Sequence, residues 1–477
     1  MQKNGYDQPE GLTRPSSFSY TAARADFLGE KSPGETEMMD NIGERTLKLK
    51  LNARTAYLTI VTRFVEAAAA AFGMEEKDAL KLGLAAEEIF LYLCAALLPD
   101  NPMDIDCFNG TYYTRLTFNC QAPKLDLRGL NIASAGTFND ESDLKDMGLM
   151  IASRSVERLH LTVKQANRIS LAVTKEKTYP KIVEELPCPE APDTLTLGAA
   201  DGEGVKRFAL LVRQCSAAPD LPPFFEFPGR LVDMVAGGEY RLITAVNAKK
   251  GIVGGLLFRN RTERIVETFG PYVLHTGEGK ATAEALLDAC LSGIARTKAL
   301  GLLSRSGLPP ALEDRFETLG SLVHHAPNRP PAEHPFFFRH LHEDQGCDVW
   351  APPEFTAWLQ QTYDRLVLAR NIRTLRDMGE TRSGFSLFSA ELRHERADAI
   401  LRPLLPGADF AANLERHIRF IRKEGFLNLF FEIDLGVPRQ AEMIPVLMAN
   451  RFQPQILLPF AGQADLVIFQ HHDATEP

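Results

Sequence analysis

Ile265-Val266-Glu267-Thr268-Phe269-Gly270-Pro271-Tyr272-Val273-Leu274 runs straight into His275-Thr276-Gly277-Glu278-Gly279-Lys280, and Ala281 then opens a helical stretch that lasts to Lys298. The first segment alternates as a strand does, the second carries the glycines of a loop, and the third has helical spacing. Two more strands precede it, 240–246 and 252–258, joined at Lys249-Lys250-Gly251. Strands feeding a loop and then a helix are α/β texture. Upstream, 177–203 is rich in proline and glycine and reads as a linker. Downstream, 326–382 reads as a Pro-, His- and aromatic-rich connector with one helix near 353–370. Residues 383–472 return to strands (386–392, 399–403, 428–435, 455–459, 465–470) interleaved with helices over 409–424 and 438–450.

The strand–turn–strand at 240–258, the strand ending at Leu274 and the glycine loop before a helix resemble the GNAT acetyltransferase superfamily. That resemblance implies a splayed strand, here at Tyr272 and Val273, exposing backbone amides to the pantetheine arm of acetyl-CoA. It also implies a Q/R-x-x-G-x-G/A turn that lays N–H groups on the pyrophosphate at a helix N-terminus. Gly277, Gly279 and Ala281 are the residues offered to such a turn, with Thr276 where Gln or Arg is usual and Glu278 placed to repel phosphate. An ordinary strand-to-helix turn is the alternative reading. The strand from Asn428, the helix ending Met448-Ala449-Asn450-Arg451-Phe452 and the last two strands resemble the C-terminal half of a GNAT domain. Two GNAT-like units are therefore expected, 204–325 and 383–472. Glu267, Glu432 and Asp434 lie on strands and are expected to face solvent, so none is assigned as a general base.

Residues 44–176 have another texture. Tyr57, Val61, Phe64, Val65, Ala68 and Phe72 follow helical spacing. A second helix runs from Glu76 to Leu98, where Pro99-Asp100-Asn101-Pro102 stops it. Short strands follow at 103–108 and 112–120 around the Asn109-Gly110 turn, then an irregular segment 121–143, a helix from about Asp146 to Leu159, and a hairpin pairing 160–163 with 169–173. Glu87-Glu88 on an apolar helix needs a reason, because burying an unpaired carboxylate is costly. Leu84-Ala85-Ala86-Glu87-Glu88-Ile89-Phe90-Leu91-Tyr92 carries a resemblance to the GHKL ATPases, and within them to the anti-sigma-factor Ser/Thr kinases. The resemblance implies Glu88 as catalytic Glu, Tyr92 where an Mg²⁺-holding Asn is usual, Asn119 in place of an adenine-reading Asp, and Gly148 as the surviving glycine of a phosphate-receiving helix start. It implies a GHKL-like α/β sandwich whose ATP site is eroded; the structural alternative is that Glu88 bonds a neighbouring polar group. The fold class expected is thus a multidomain α+β and α/β chain.

Hydrophobic residues make up 45% of the 477 residues and charged residues 24%, which suits conventional cores and excludes global disorder. A formal charge of −9 supplies no field for phosphate backbones, so nucleic acid is excluded as a first partner. The longest apolar run, Ile89 to Leu98, is too short to span a bilayer, and the basic-then-apolar start of a secretory signal is absent, so a cytoplasmic protein is expected. Residues 1–43 read as a flexible tail. The seven cysteines show no CxxC spacing and read as reduced packing residues. His334, His340, His342, Glu343, Asp344 and Cys347 contain zinc-ligand types without paired spacing and read as a solvated loop, so no metal is expected. The function expected is regulatory: an anti-sigma-like domain fused to GNAT-like units, acting by binding a sigma factor or anti-sigma antagonist, with ATP held weakly and acetyl-CoA as the other admissible cofactor. The rival readings are an active N-acetyltransferase or Ser/Thr kinase, and a structural assembly protein.

Overall fold

The computed structural model describes residues 45–122, 125–133, 141–164, 168–192, 194–216, 221–327, 329–376, 379 and 382–472. The tail expected over 1–43 lies outside them. The first domain is Thr46–Asn52 (β1), Leu58–Ala71 (α1), Glu76–Ala96 (α2), Pro102–Asn109 (β2), Tyr113–Gln121 (β3), Glu141–Arg154 (α3), Arg158–Lys164 (β4) and Arg168–Glu176 (β5). Its five strands pair antiparallel throughout in the order β1-β2-β3-β5-β4. Period-2 alternation puts Met103, Ile105 and Cys107 of β2 and Leu116, Phe118 and Cys120 of β3 into one core with Val61, Val65 and Ala68 of α1 and Leu82, Ile89 and Phe90 of α2. The hairpin forms with its turn shifted from Asn109-Gly110 to Thr111-Tyr112: the Gly110 N–H donates to Tyr113 O at 2.8 Å, and Thr111, at φ +72°, donates its N–H to Asn109 Oδ1 at 3.0 Å.

The second domain comprises Thr196–Ala199 (β6), Gly202–Cys215 (α4), Pro228–Ala236 (α5), Arg241–Val246 (β7), Ile252–Asn260 (β8), Ile265–Val273 (β9), Lys280–Ile294 (α6), Gly301–Ser306 (β10), Glu317–Ala326 (β11) and Arg329–His340 (β12). Its sheet has the order β11-β12-β10-β9-β8-β7-β6, antiparallel except where β9 and β10 run parallel. Aromatic residues of α4 and the segment before α5 cover one face and α6 covers the other. The sheet is therefore wider than the 204–325 expected. β6 lies in the expected linker and β12 in the expected connector; the first is four residues long with a glycine, and the second opens Arg329-Pro330-Pro331, so neither shows strand periodicity.

Cys347–Ala351 (β13), Pro353–Leu366 (α7) and Arg370–Thr374 (β14) make a small parallel β-α-β unit. Leu387–Arg393 (β15), Asp398–Leu405 (β16), Phe410–Lys423 (α8), Asn428–Asp434 (β17), the short helices Pro438–Ala441 (α9) and Ile444–Ala449 (α10), Phe452–Leu458 (β18) and Leu466–His471 (β19) close the chain. The order β15-β16-β17-β19-β18, with β16 parallel to β17, repeats that of β8-β9-β10-β12-β11, and each parallel pair is bridged by a long helix. The two repeats are welded along β11: the Val323 N–H donates to Gln470 Oε1 at 3.1 Å, and the His325 N–H to Asn428 Oδ1 at 2.8 Å. Gly320, at φ +138°, is required at this seam, because a Cβ there would lie 2.8 Å from the Gln455 carbonyl oxygen.

Cys188 is exposed and its Sγ lies 3.4 Å from that of Cys215 on α4, so these two cysteines are paired across the fold rather than packed separately. Diamide, which takes up the two thiol hydrogens, should join them, leaving a 188–215 crosslinked peptide in a non-reducing digest. A digest without that peptide would refute the pairing.

Candidate functional site

The three domains meet around a cavity of about 800 Å³. Its chemistry starts at Glu267 on β9, whose side chain is fully buried. Alternation along β9 turns Ile265, Glu267 and Phe269 to the same face, and three arginines converge on the carboxylate. Arg259 Nε donates at 2.8 Å, Arg305 Nη1 at 3.1 Å, and Arg261 Nη1 stands at 3.8 Å. Burial pushes Glu267 up, but the charges of Arg259, Arg305 and Arg261 outweigh it and hold the carboxyl well below the usual carboxylate range. A matching cluster faces it from the C-terminal repeat. Arg402 donates to Glu432 at 2.6 Å and to Glu391 at 3.0 Å, and Arg393 donates to Glu391 at 2.8 and 2.6 Å. Burial again opposes ionisation there, and the arginines prevail at both glutamates.

Glu267, Glu432 and Asp434 are all buried, against the expectation that they face solvent. Asp434 organises a turn by accepting from the N–H groups of Gly436, Gln463 and Ala464, and burial pushes its carboxyl up. Across the cavity wall His324 Nδ1 lies 3.2 Å from Asp398 Oδ1, with the His334 ring 4.3 Å from its own. Burial lowers the His324 pKa despite that carboxylate, so its imidazole is neutral at pH 7. His334 and His340 are residues of β12, with His334 buried, and Asp344 is held by Arg370, while His342 and Glu343 lie exposed in the irregular segment 341–346, so the solvated loop expected is found only in that part. Among the described residues no cluster of metal-ligating side chains forms.

The cavity reaches the place where β9 and β10 part. Their parallel register ends with Ser304 opposite Thr268 and, after a shift, Ser306 opposite Phe269; β9 then continues to Val273 while β10 stops. Ser306 and Phe269 both line the cavity. Tyr272 is buried among Phe208 and Phe225, with its hydroxyl 3.4 Å from Ser306 Oγ. Beyond the fork, His275 Nε2 lies 3.1 Å from Thr282 Oγ1, which folds the loop onto α6. Gly279 must be glycine, because a Cβ would lie 2.7 Å from Val273 Cγ1. Gly277, at φ +107°, has nothing within 4 Å of the Cβ position, so the outer side of the loop is open. Among the described residues no side chain caps α6. Tyr272, Val273, Gly277, Gly279 and Ala281 thus gather at one fork and turn.

The equivalent turn before α8 is filled by the chain itself. A Cβ at Gly407 would lie 2.0 Å from the Phe385 backbone, Ala408 N–H donates to Ser383 O at 2.8 Å, and Asp409 accepts from the Ser386 N–H and hydroxyl. Asn131 of the first domain closes this place further, donating to Ser386 O at 2.9 Å and accepting from Phe388 N–H at 3.0 Å. The C-terminal repeat therefore offers no open turn.

In the first domain Glu88 packs against α3 at Gly148, where a Cβ would lie 2.2 Å from Glu88 Oε2, and burial, then Glu87, push its carboxyl up. The Tyr92 hydroxyl donates to the Asp126 carbonyl. Asn119 does not join this group. It lies on the face of β3 opposite Leu116 and Phe118, and donates to Asp106 at 3.3 Å. The acidic residue beside Tyr92 is Asp126, in Leu125-Asp126-Leu127-Arg128-Gly129, which the sequence reading passed over inside an irregular segment.

No known family profile matches the chain, and no curated protein matches it. Solved structures do. A putative phosphinothricin N-acetyltransferase is 15% identical over 31% of this chain and all of its own, with a TM-score of 0.27. A Vibrio cholerae spermidine N-acetyltransferase chimera is 15% identical over 31% of this chain and 95% of its own, at 0.26. A Sinorhizobium meliloti GNAT phosphinothricin acetyltransferase, solved with AcCoA, is 18% identical over 32% of this chain and 91% of its own, at 0.25.

Proposed function

We propose that the second domain is an acyl-CoA-dependent N-acyltransferase whose acceptor occupies the cavity between the domains. The observation that carries this reading is the fork: the cavity opens onto Phe269 and Ser306, where β9 and β10 part, while the open glycine loop and uncapped α6 lie on the far side. Loop N–H groups around Gly277 and Gly279, with the start of α6, would receive the pyrophosphate. Acetyl-CoA, when bound, supplies a thioester carbonyl. His324 would accept the proton that the acceptor amine loses on acylation; Glu267, Glu391 and Glu432 are held ionised by arginines and are poor bases. The Tyr272 hydroxyl at the fork would supply a proton to the thiol side of the CoA. The first domain enters as a wall of the cavity rather than as a kinase, since Glu88 is pressed on Gly148 and Tyr92 is engaged by Asp126.

Titration with acetyl-CoA tests this. Glu278→Gln should tighten binding several-fold, as a like charge near phosphate costs on the order of 1 kcal/mol, and Gly279→Glu should abolish it. His324→Gln should lower kcat by roughly a hundredfold, and the wild-type rate should fall as pH drops below the ordinary histidine value of 6.5. Absent binding, or binding indifferent to both loop changes, would overturn the assignment.

A further inference from the structure

The net charge of the cavity wall is opposite to that of the chain. Nine arginines and no lysine line it, against seven carboxylates, in a protein of formal charge −9. Planar guanidinium groups suit carboxylate and phosphate oxygens, which they grip two at a time. Several are held by their flat faces, Arg305 5.1 Å over Phe336, Arg230 5.6 Å over Tyr112 and Arg158 5.4 Å over Tyr113, while one edge nitrogen of each engages a wall carboxylate, Glu267 for Arg305 and Glu176 for Arg230 and Arg158. The Nε groups of Arg158, Arg230 and Arg261 are buried without a hydrogen-bond partner among the described residues, an arrangement that costs free energy unless something accepts from them. Arg396, also on the wall, forms no ion pair among the described residues. These groups come from β4, α5, the end of β8 and the turn before β16, so all three domains contribute.

We propose that this cavity is a binding site for a small polyanion, a molecule with two or more carboxylate or phosphate groups, held by guanidinium groups that the wall's own carboxylates leave in surplus. A volume of about 800 Å³ is within the range of small-molecule sites. The arginines are preorganised by their aromatic supports, so little side-chain entropy is lost on binding. This is the cavity that the acyltransferase reading gives to the acceptor, but binding here requires neither CoA nor turnover, so the site is tested independently of that reading.

The test is calorimetric titration of the full chain, without acetyl-CoA, using citrate and inorganic pyrophosphate as probes. Sodium chloride at matched ionic strength and spermidine serve as controls. Saturable binding of either anion, accompanied by a rise in melting temperature, supports the site, and the tighter probe identifies the acid group. Arg261→Gln and Arg396→Gln should each weaken that binding about tenfold, the loss of one charged hydrogen bond. Arg396 forms no ion pair among the described residues, so its variant reads binding even if Arg261→Gln disturbs the Glu267 cluster. No saturable binding beyond the chloride control, tighter binding of spermidine, or unchanged affinity in both variants would overturn the proposal. Anion binding that persists while acetyl-CoA fails to bind would leave this site standing and remove the acyltransferase assignment.

Discussion

Glu267→Gln should destabilise the protein by about 3–5 kcal/mol, because it leaves three arginines crowded around a buried site with no counter-charge. In melting temperature this is a fall of roughly 10 °C for a domain of this size. The variant keeps the shape of the side chain, so the loss measures charge rather than packing. The pH dependence has a definite sign. The folded carboxyl sits below its ordinary value of 4.5, so its contribution is complete above that value and is lost as pH falls through the lower folded one. The stability gap between wild type and variant should therefore narrow below about pH 4.5. Paired denaturation curves at pH 7 and pH 3.5 would show it, and a gap that stays constant or widens in acid would exclude the ionised Glu267 cluster.

Arg370→Met is expected to cost a similar amount for the opposite reason. The Arg370 side chain is fully buried and donates to both oxygens of Asp465, at 2.6 and 3.1 Å, while also engaging Asp344. Its plane lies 4.5 Å over the Phe460 ring. Asp465 in turn accepts from the Phe460 N–H at 2.9 Å, so one guanidinium ties β14 to the turn between β18 and β19. Removing it strands two carboxylates, one fully buried, for about 3–5 kcal/mol. Arg370→Lys should recover only part of this, since an ammonium cannot span both oxygens of Asp465 and reach Asp344. The denaturant midpoint is the measurement, and equal midpoints for wild type and the lysine variant would show that the bidentate geometry contributes nothing.

Much of the local structure was legible in the sequence. Helical spacing from Tyr57 to Phe72 and from Glu76 onward marked α1 and α2, and Asn109-Gly110 marked its hairpin, because these signals lie within one or two turns of chain. The strand–loop–helix from Ile265 to Lys298 is a single contiguous segment, so Tyr272, Val273, Gly277, Gly279 and Ala281 could be grouped without knowing what surrounds them. Asn119 was misjudged where spacing alone decided: it is adjacent to core residues in sequence yet turned to the other face of β3, while Asp126 stood next to Tyr92. β6 and β12 were missed because a four-residue strand and a proline-led strand carry little periodicity.

The sequence by itself determined α1, α2, the strands between 240 and 274 and the glycine loop before α6, since each depends on residues close along the chain. Only the tertiary structure decided which charges are buried and with what partners. Arg305 reaches Glu267 from 38 residues away, Asp398 reaches His324 from 74, and Asn131 reaches Ser386 from 255. A strand carboxylate reads the same in sequence whether it faces water or three arginines. Desolvation and Coulomb attraction act over a few ångströms of space, and the spacing of residues along a chain does not encode which distant side chains arrive there.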